Sequence, residues 1–223
     1  MIYVFTHLGF GDHIICNGIV RNLADKHKDV TVLCLRQKKN LLEFMYRDNK
    51  KIIIQEIETE KEALDMKSSL GERLKIIGHN CSGRNYKSFD RWFYAMAGIE
   101  YQNRFKEFYI QRDQGEEQRL FEKYVGSEKE YAFLHDDPSR GFVIDRSRIR
   151  NDIKIIENNV NNNFFNYRKI FENATELHLM QSGIYDFTNN IPLKKPKIFV
   201  HKYVRGYDEW YDTDSLNERV FLT

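Results

Sequence analysis

The sequence predicts an α/β protein made of two successive halves, each a parallel sheet flanked by helices. Three observations predict it. Short apolar runs alternate with amphipathic stretches of helical period. The runs are nearly continuous, as in strands covered on both faces of a parallel sheet. The alternation restarts after the solvated stretch 126–130, which divides the chain into 1–125 and 126–223.

In the first half, 2–5 reads as a buried strand. A loop with Gly9 and Gly11 follows, then a helix with Ile14, Ile15, Ile19 and Leu23 on one face. Strands are expected at 30–35, 51–57 and 74–78, with helices over 40–46 and 60–70 between them. The polar loop 79–87, with Gly83 and Arg84, lies past a strand's carboxyl end, where such sheets take ligands. Ser88 caps an aromatic helix over 89–97, which Gly98 ends. An irregular stretch, 104–111, and a charged helix, 115–125, complete this half.

The second half reads as strands at 131–134, 152–156, 176–180 and 198–203. The polar loop 135–141 follows the first, and an asparagine-rich loop, 158–163, follows the second. A helix over 163–172 turns Phe164, Tyr167, Ile170 and Phe171 inward. Ser182 opens a helix over 183–188, and the tail 208–221 is given a helical reading.

Composition excludes several classes. The chain has 223 residues, with 35 basic and 33 acidic side chains and a net charge of +2. That balance makes no strong field for nucleic acid or an anionic membrane. Basic residues interleave with aromatics over 203–211, but without the net charge that nucleic acid requires. No apolar run is long enough to span a bilayer, and no basic stretch precedes the first strand as in a signal peptide. Cys16, Cys34 and Cys81 are odd in number and lack metal-ligand spacing. A cytoplasmic protein without metal or cofactor is expected.

Four segments carry candidate chemistry. In Gly9-Phe10-Gly11-Asp12 the glycines let the backbone approach a ligand at a helix start. Asp12 reads either as a helix cap or as a base, with His7 and His13 beside it. The dinucleotide fingerprint is broken by Ile14, and no Gly-Lys-Ser or Gly-Lys-Thr occurs. Leu35-Arg36 also stands where a nicotinamide enzyme would carry an acid, which disfavours an oxidoreductase. In 135–141, His135 and Arg140 can grip a diphosphate, or the segment is an ordinary surface turn. In 174–183, Glu176 can accept from a sugar diol and Ser182 can hold a phosphate. The other reading there is an edge strand with Glu176 and His178 on its polar face. In 88–98, Phe89, Trp92, Phe93 and Met96 form a core stripe, while Asp90 and Arg91 at the helix start can touch a sugar.

The stretch from Val4 to Ala24 resembles the opening of GT-B glycosyltransferases of the ADP-heptose:lipopolysaccharide heptosyltransferase type. These begin with a strand, a small-residue loop ending in Gly-Asp, and a helix with a long apolar face. Gly11 and Asp12 fall on that Gly-Asp, and His178-Leu179 with Ser182 is similar to the family's nucleotide-sugar stretch. The resemblance implies two Rossmann-like domains facing across a cleft. It implies inverting transfer of a sugar from a nucleotide-sugar to a glycan or lipid-linked acceptor. Asp12 would be the general base. Gly9, Gly11, His135, Arg140, Glu176, His178 and Ser182 would hold the donor, and His7, His13 and Arg91 the acceptor. A non-catalytic nucleotide- or sugar-binding protein is the alternative.

Overall fold

The structure, a computed structural model, describes residues 1–6, 9–79, 88–206 and 213–223. His7, Gly83 and Arg84 lie outside the described residues.

The chain divides into two units, 1–111 and 112–223. In the first, β1 (Ile2–Thr6), β2 (Val30–Leu35), β3 (Ile52–Ile57) and β4 (Leu74–Ile77) form a parallel sheet in the order β3-β2-β1-β4. The central β2 is buried along Val30–Cys34, as a strand covered on both faces must be. At the edge, β3 buries Ile52 and Ile57 but leaves Ile53 43% exposed. The expected first helix is two, α1 (Phe10–Ile15) and α2 (Asn17–Lys26), divided at Cys16. Their shared apolar face of Ile14, Ile15, Ile19 and Leu23 is buried as the spacing predicts.

Helices α3 (Lys39–Tyr46) and α4 (Glu60–Leu70) lie between strands, and Thr59 caps α4 by accepting from the Glu62 N–H. Ser88 stands at the N-cap of α5 (Phe89–Ala97) but makes no side-chain capping bond. Gly98 ends that helix in the left-handed region, φ 66°, where glycine carries no Cβ penalty. The stretch expected to be irregular contains a short helix, α6 (Asn103–Lys106). Arg104 is fully buried in an ion pair with Asp90 of α5, and the Tyr101 hydroxyl donates to the same carboxylate at 2.6 Å. Asp90 therefore ties α5 to α6 and is closed off from the sugar contact expected of it.

The second unit opens with α7 (Gln114–Tyr124), so the boundary falls ahead of this helix rather than at 125/126. The reason is packing. Tyr124 stacks on Tyr167 at 6.0 Å, and Arg112 bonds both Glu117 of α7 and Glu172. The sheet runs β6-β5-β7-β8-β9, all parallel, from β5 (Tyr131–Leu134), β6 (Lys154–Glu157), β7 (Glu176–Leu179), β8 (Lys197–His201) and β9 (Val220–Leu222). The tail thus ends as a strand, not a helix, with Val220 opposite Phe199. Asn217 pins it there, its side chain bonding Leu193 N–H and the carbonyls of Thr188 and Ile191.

One sheet face is covered by α7, by a short 3-10 turn with α8 (Arg168–Asn173), and by α9 (Gly183–Asn189). Phe133 meets Phe171 edge-on at 4.7 Å there. The opposite face is covered by irregular chain, with Ile144, Ile149 and Ile153 against Ala132 and Leu134. Each sheet reverses its strand order once, between β1 and β4 and between β5 and β7. The crevice beyond the strand ends at such a reversal is the general ligand site of open α/β sheets.

Candidate functional site

In the first unit Gly9 is the N-cap of α1, and its N–H donates to Asp12 Oδ2 at 3.0 Å. Gly9 has an ordinary φ of −77°, so the glycine is not needed for its dihedrals. A Cβ there would stand 2.8 Å from Asp12 Oδ2, the far end of a flexible side chain, which would turn aside to admit it. Gly11 sits in the first turn of α1 and Asp12 at its third position, where its carboxylate supplies one half of a capping box by accepting from the Gly9 N–H. His13 is buried on the same helix, its Nδ1 bonded to the Thr6 hydroxyl at 2.6 Å. Burial lowers its pKa to about 4, so it is neutral and enclosed rather than turned to an acceptor. Arg91, at the start of α5, is exposed, its guanidinium 4.2 Å from the Tyr101 ring centre.

In the second unit His135 and Arg140 follow the carboxyl end of β5, and Ser182 follows that of β7. The structure thus brings these three to one edge. His135 is buried, and its Nδ1 lies 3.0 Å from Asn158 Oδ1, which also accepts from the Asp136 N–H at 3.1 Å. An amide oxygen only accepts, so His135 carries its proton on Nδ1 and leaves Nε2 an acceptor. Burial lowers its pKa, so the neutral ring cannot make the donation to a diphosphate expected of it. Arg140 is exposed and bonds Asp137 within the turn. Its guanidinium lies 5.7 Å from the Phe142 ring centre, and that of Arg205, arriving from β8, lies 4.7 Å from the same ring. Arg205 also bonds the Gln181 carbonyl beyond β7 at 2.9 Å. Two cations are therefore gathered about the carboxyl end of β7.

Glu176 and His178 are not at this edge. Glu176 opens β7 at the amino end of the sheet, opposite to Ser182. His178 is buried in mid-strand, stacked on Phe199 at 4.9 Å and bonded to Glu176 and His201. Neither is placed to hold the donor as the resemblance implied. Ser182 is the N-cap of α9, its hydroxyl accepting from the Tyr185 N–H at 3.2 Å.

A cleft of about 810 Å³ opens along the carboxyl ends of β5 and β6. Asp136, Arg146, Glu157 and Asn158 line it, with apolar walls from Val143, Ile155 and Val160 and the Tyr124 ring. Arg146 bridges the Asp136 and Glu157 carboxylates at 2.8 and 2.7 Å. The volume is that of a small-molecule or cofactor site, with few fixed polar groups between apolar walls.

The chain is similar in fold to the solved structure of E. coli ADP-heptose lps heptosyltransferase II. The TM-score is 0.53 at 9% sequence identity, over 100% of this chain and 90% of that one. The two-unit α/β fold is the fold of a heptosyltransferase. At this identity the likeness speaks for the fold alone, and it falls on the type of enzyme that Gly11-Asp12 resembles. No protein-family model and no curated protein matches the sequence.

Sequence reasoning missed Asp136, Arg146, Glu157 and Asn158 as lining residues. Asp136 and Asn158 follow strand ends, so the rule that selected His135 also reaches them. Arg205 follows the end of β8, so that rule reaches it too, whereas Arg146 carried no such signal, since a long connection delivers it. Among the described residues no three His, Cys, Asp or Glu side chains gather as a metal site, and no helix is long and apolar enough to cross a membrane.

Proposed function

We propose that the chain is a glycosyltransferase whose second unit takes a nucleotide-sugar and whose first unit takes a hydroxyl acceptor, a glycan or lipid-linked sugar. The observation that carries this reading is the whole-chain fold likeness to a heptosyltransferase. The cleft supports it to the extent that it lies past the carboxyl ends of β5 and β6, beside the β5–β7 reversal rather than at it.

The donor's nucleoside enters the cleft, its hydroxyls meeting Asp136, Glu157 and Asn158. Its diphosphate turns toward Arg140 and Arg205, which offset the charge growing on the leaving group. The acceptor oxygen attacks the anomeric carbon as the bond to the diphosphate breaks, and configuration inverts. Asp12 takes the hydroxyl proton. Arg91 is the acceptor contact retained from the sequence, and no metal or cofactor enters the scheme.

Asp12 also favours a second reading. Its carboxylate caps α1 by accepting from the Gly9 N–H, a structural task, and a nucleotide- or sugar-binding protein without catalysis would need nothing more of it. A thermal-shift screen with UDP-, GDP-, ADP-, CMP- and dTDP-sugars separates the outcomes. A donor that raises the melting point and is consumed with an acceptor supports transfer. A shift without turnover for any donor leaves the binding protein, and no shift at all overturns both.

A further inference from the structure

The segment that supplies Arg146 to the cleft is tied to the core of the second unit by one continuous hydrogen-bonded chain. The Asp145 N–H lies 2.9 Å from the Tyr203 hydroxyl oxygen. That hydroxyl is 2.9 Å from His201 Nδ1, His201 Nε2 is 2.9 Å from His178 Nδ1, and His178 Nε2 is 3.1 Å from Glu176 Oε2. Both rings are buried, His201 at 0% and His178 at 1% exposure.

With both buried rings neutral, the carboxylate end sets the direction of every link. A backbone N–H only donates and a carboxylate only accepts. Tyr203 therefore accepts from Asp145 and donates to His201 Nδ1, His201 donates through Nε2, and His178 donates through Nε2 to Glu176. Each link is then satisfied once, and burial lowers the pKa of both rings, which keeps them neutral. The charged groups facing the chain are Arg150, 3.8 Å from Glu176, Arg148 over the Tyr203 ring at 4.5 Å, and the Asp136 and Asp145 carboxylates.

Asp145 is the N-cap of the turn Arg146–Arg148, its carboxylate accepting from the Ser147 N–H at 2.9 Å. Whatever holds the Asp145 backbone sets where Arg146 begins. We infer that Tyr203, backed by His201 and His178, is a positioning residue for the cleft: it holds the Asp145–Arg146 backbone so that Arg146 spans Asp136 and Glu157. The cleft's role as donor site is the reading proposed above, and the inference rests on it.

The test compares the whole wild-type chain with Tyr203→Phe and Glu176→Gln. Tyr203→Phe keeps the ring under Arg148 and removes the one hydroxyl, at a residue 37% exposed. Glu176→Gln keeps an acceptor for His178 and serves as the conservative control. In Tyr203→Phe, amide exchange over 144–148 rises about 5- to 10-fold, as for loss of one hydrogen bond. Affinity for whichever of UDP, GDP or ADP binds the wild type falls by a similar factor, while the melting point stays within about 2 °C. Glu176→Gln changes neither readout. Unchanged exchange in Tyr203→Phe overturns the inference, as does faster exchange with undiminished affinity. If no nucleoside diphosphate binds the wild type, the donor reading fails, and the exchange readout still decides whether Tyr203 holds the segment.

Discussion

Asp12 carries two tasks that substitution can separate. Asp12→Asn keeps an oxygen to accept from Gly9 N–H but cannot take a proton. Asp12→Ala loses both. If Asp12 is the base, Asn lowers turnover by about 100-fold or more with stability nearly unchanged, and Ala adds about 1 kcal/mol of lost capping. Steady-state rates beside urea melts read the two effects, and a fully active Asn variant rules out the base. Asp90 offers a sharper stability test. Removing it leaves the fully buried Arg104 guanidinium without its carboxylate, which costs about 3–5 kcal/mol. Urea unfolding of Asp90→Ala checks this, and a loss under about 1 kcal/mol would mean the pair is solvated.

Among the elements, two helical glycines behave oppositely. On α2, a Cβ at Gly18 would meet the Asn103 carbonyl oxygen at 2.3 Å and the Tyr94 hydroxyl at 2.7 Å. Backbone cannot give way as a flexible side chain can, so Gly18→Ala pushes α2 off α6 and costs about 1–3 kcal/mol. On α7, a Cβ at Gly115 meets only Asp113 Oδ1, at 3.7 Å. Gly115→Ala gains about 0.4–1 kcal/mol by restricting the unfolded chain. Melting points of the two variants should move in opposite directions. The helical period showed a glycine on each helix, but what faces it depends on a partner far along the chain.

For the whole molecule, the boundary between units predicts which pieces fold. A chain beginning at Arg112 keeps α7 over Tyr131 and Tyr167, whereas one beginning at Gly126 exposes them. Circular dichroism and cooperative melting should be kept by 112–223 and lost by 126–223. Acid should weaken the fold as a whole. His13 and His201 are held near a pKa of about 4 by burial, against 6.5 when free. Above pH 6.5 both are neutral folded or unfolded. Below it the unfolded chain binds protons that the folded chain refuses, until the folded rings also take them near pH 4. Each contributes a loss of about 3 kcal/mol across that window. Carboxylates held low by hydrogen bonds, such as Asp145 bonded by Ser147, act in the same direction at lower pH. Urea midpoints should therefore drop steadily from pH 7 to pH 4, and a flat profile would mean that water reaches these rings.

The sequence by itself determined the α/β class, nearly every strand, and which polar segments follow the strand ends. These follow from local periodicity and from chain order. Ile14, Ile15, Ile19 and Leu23 repeat along one helix face, and His135 and Ser182 each follow a strand end. Only the tertiary structure decided the fate of individual polar side chains. Asp90 met Arg104, Glu176 and His178 met His201 and Tyr203, and Arg146 met Asp136 and Glu157. The tail became β9 because β8 offered an open edge. The physical reason is common to all of these. Burying a polar group is tolerable only beside a partner, and the partner is chosen by the fold, often far along the chain and beyond the reach of local pattern.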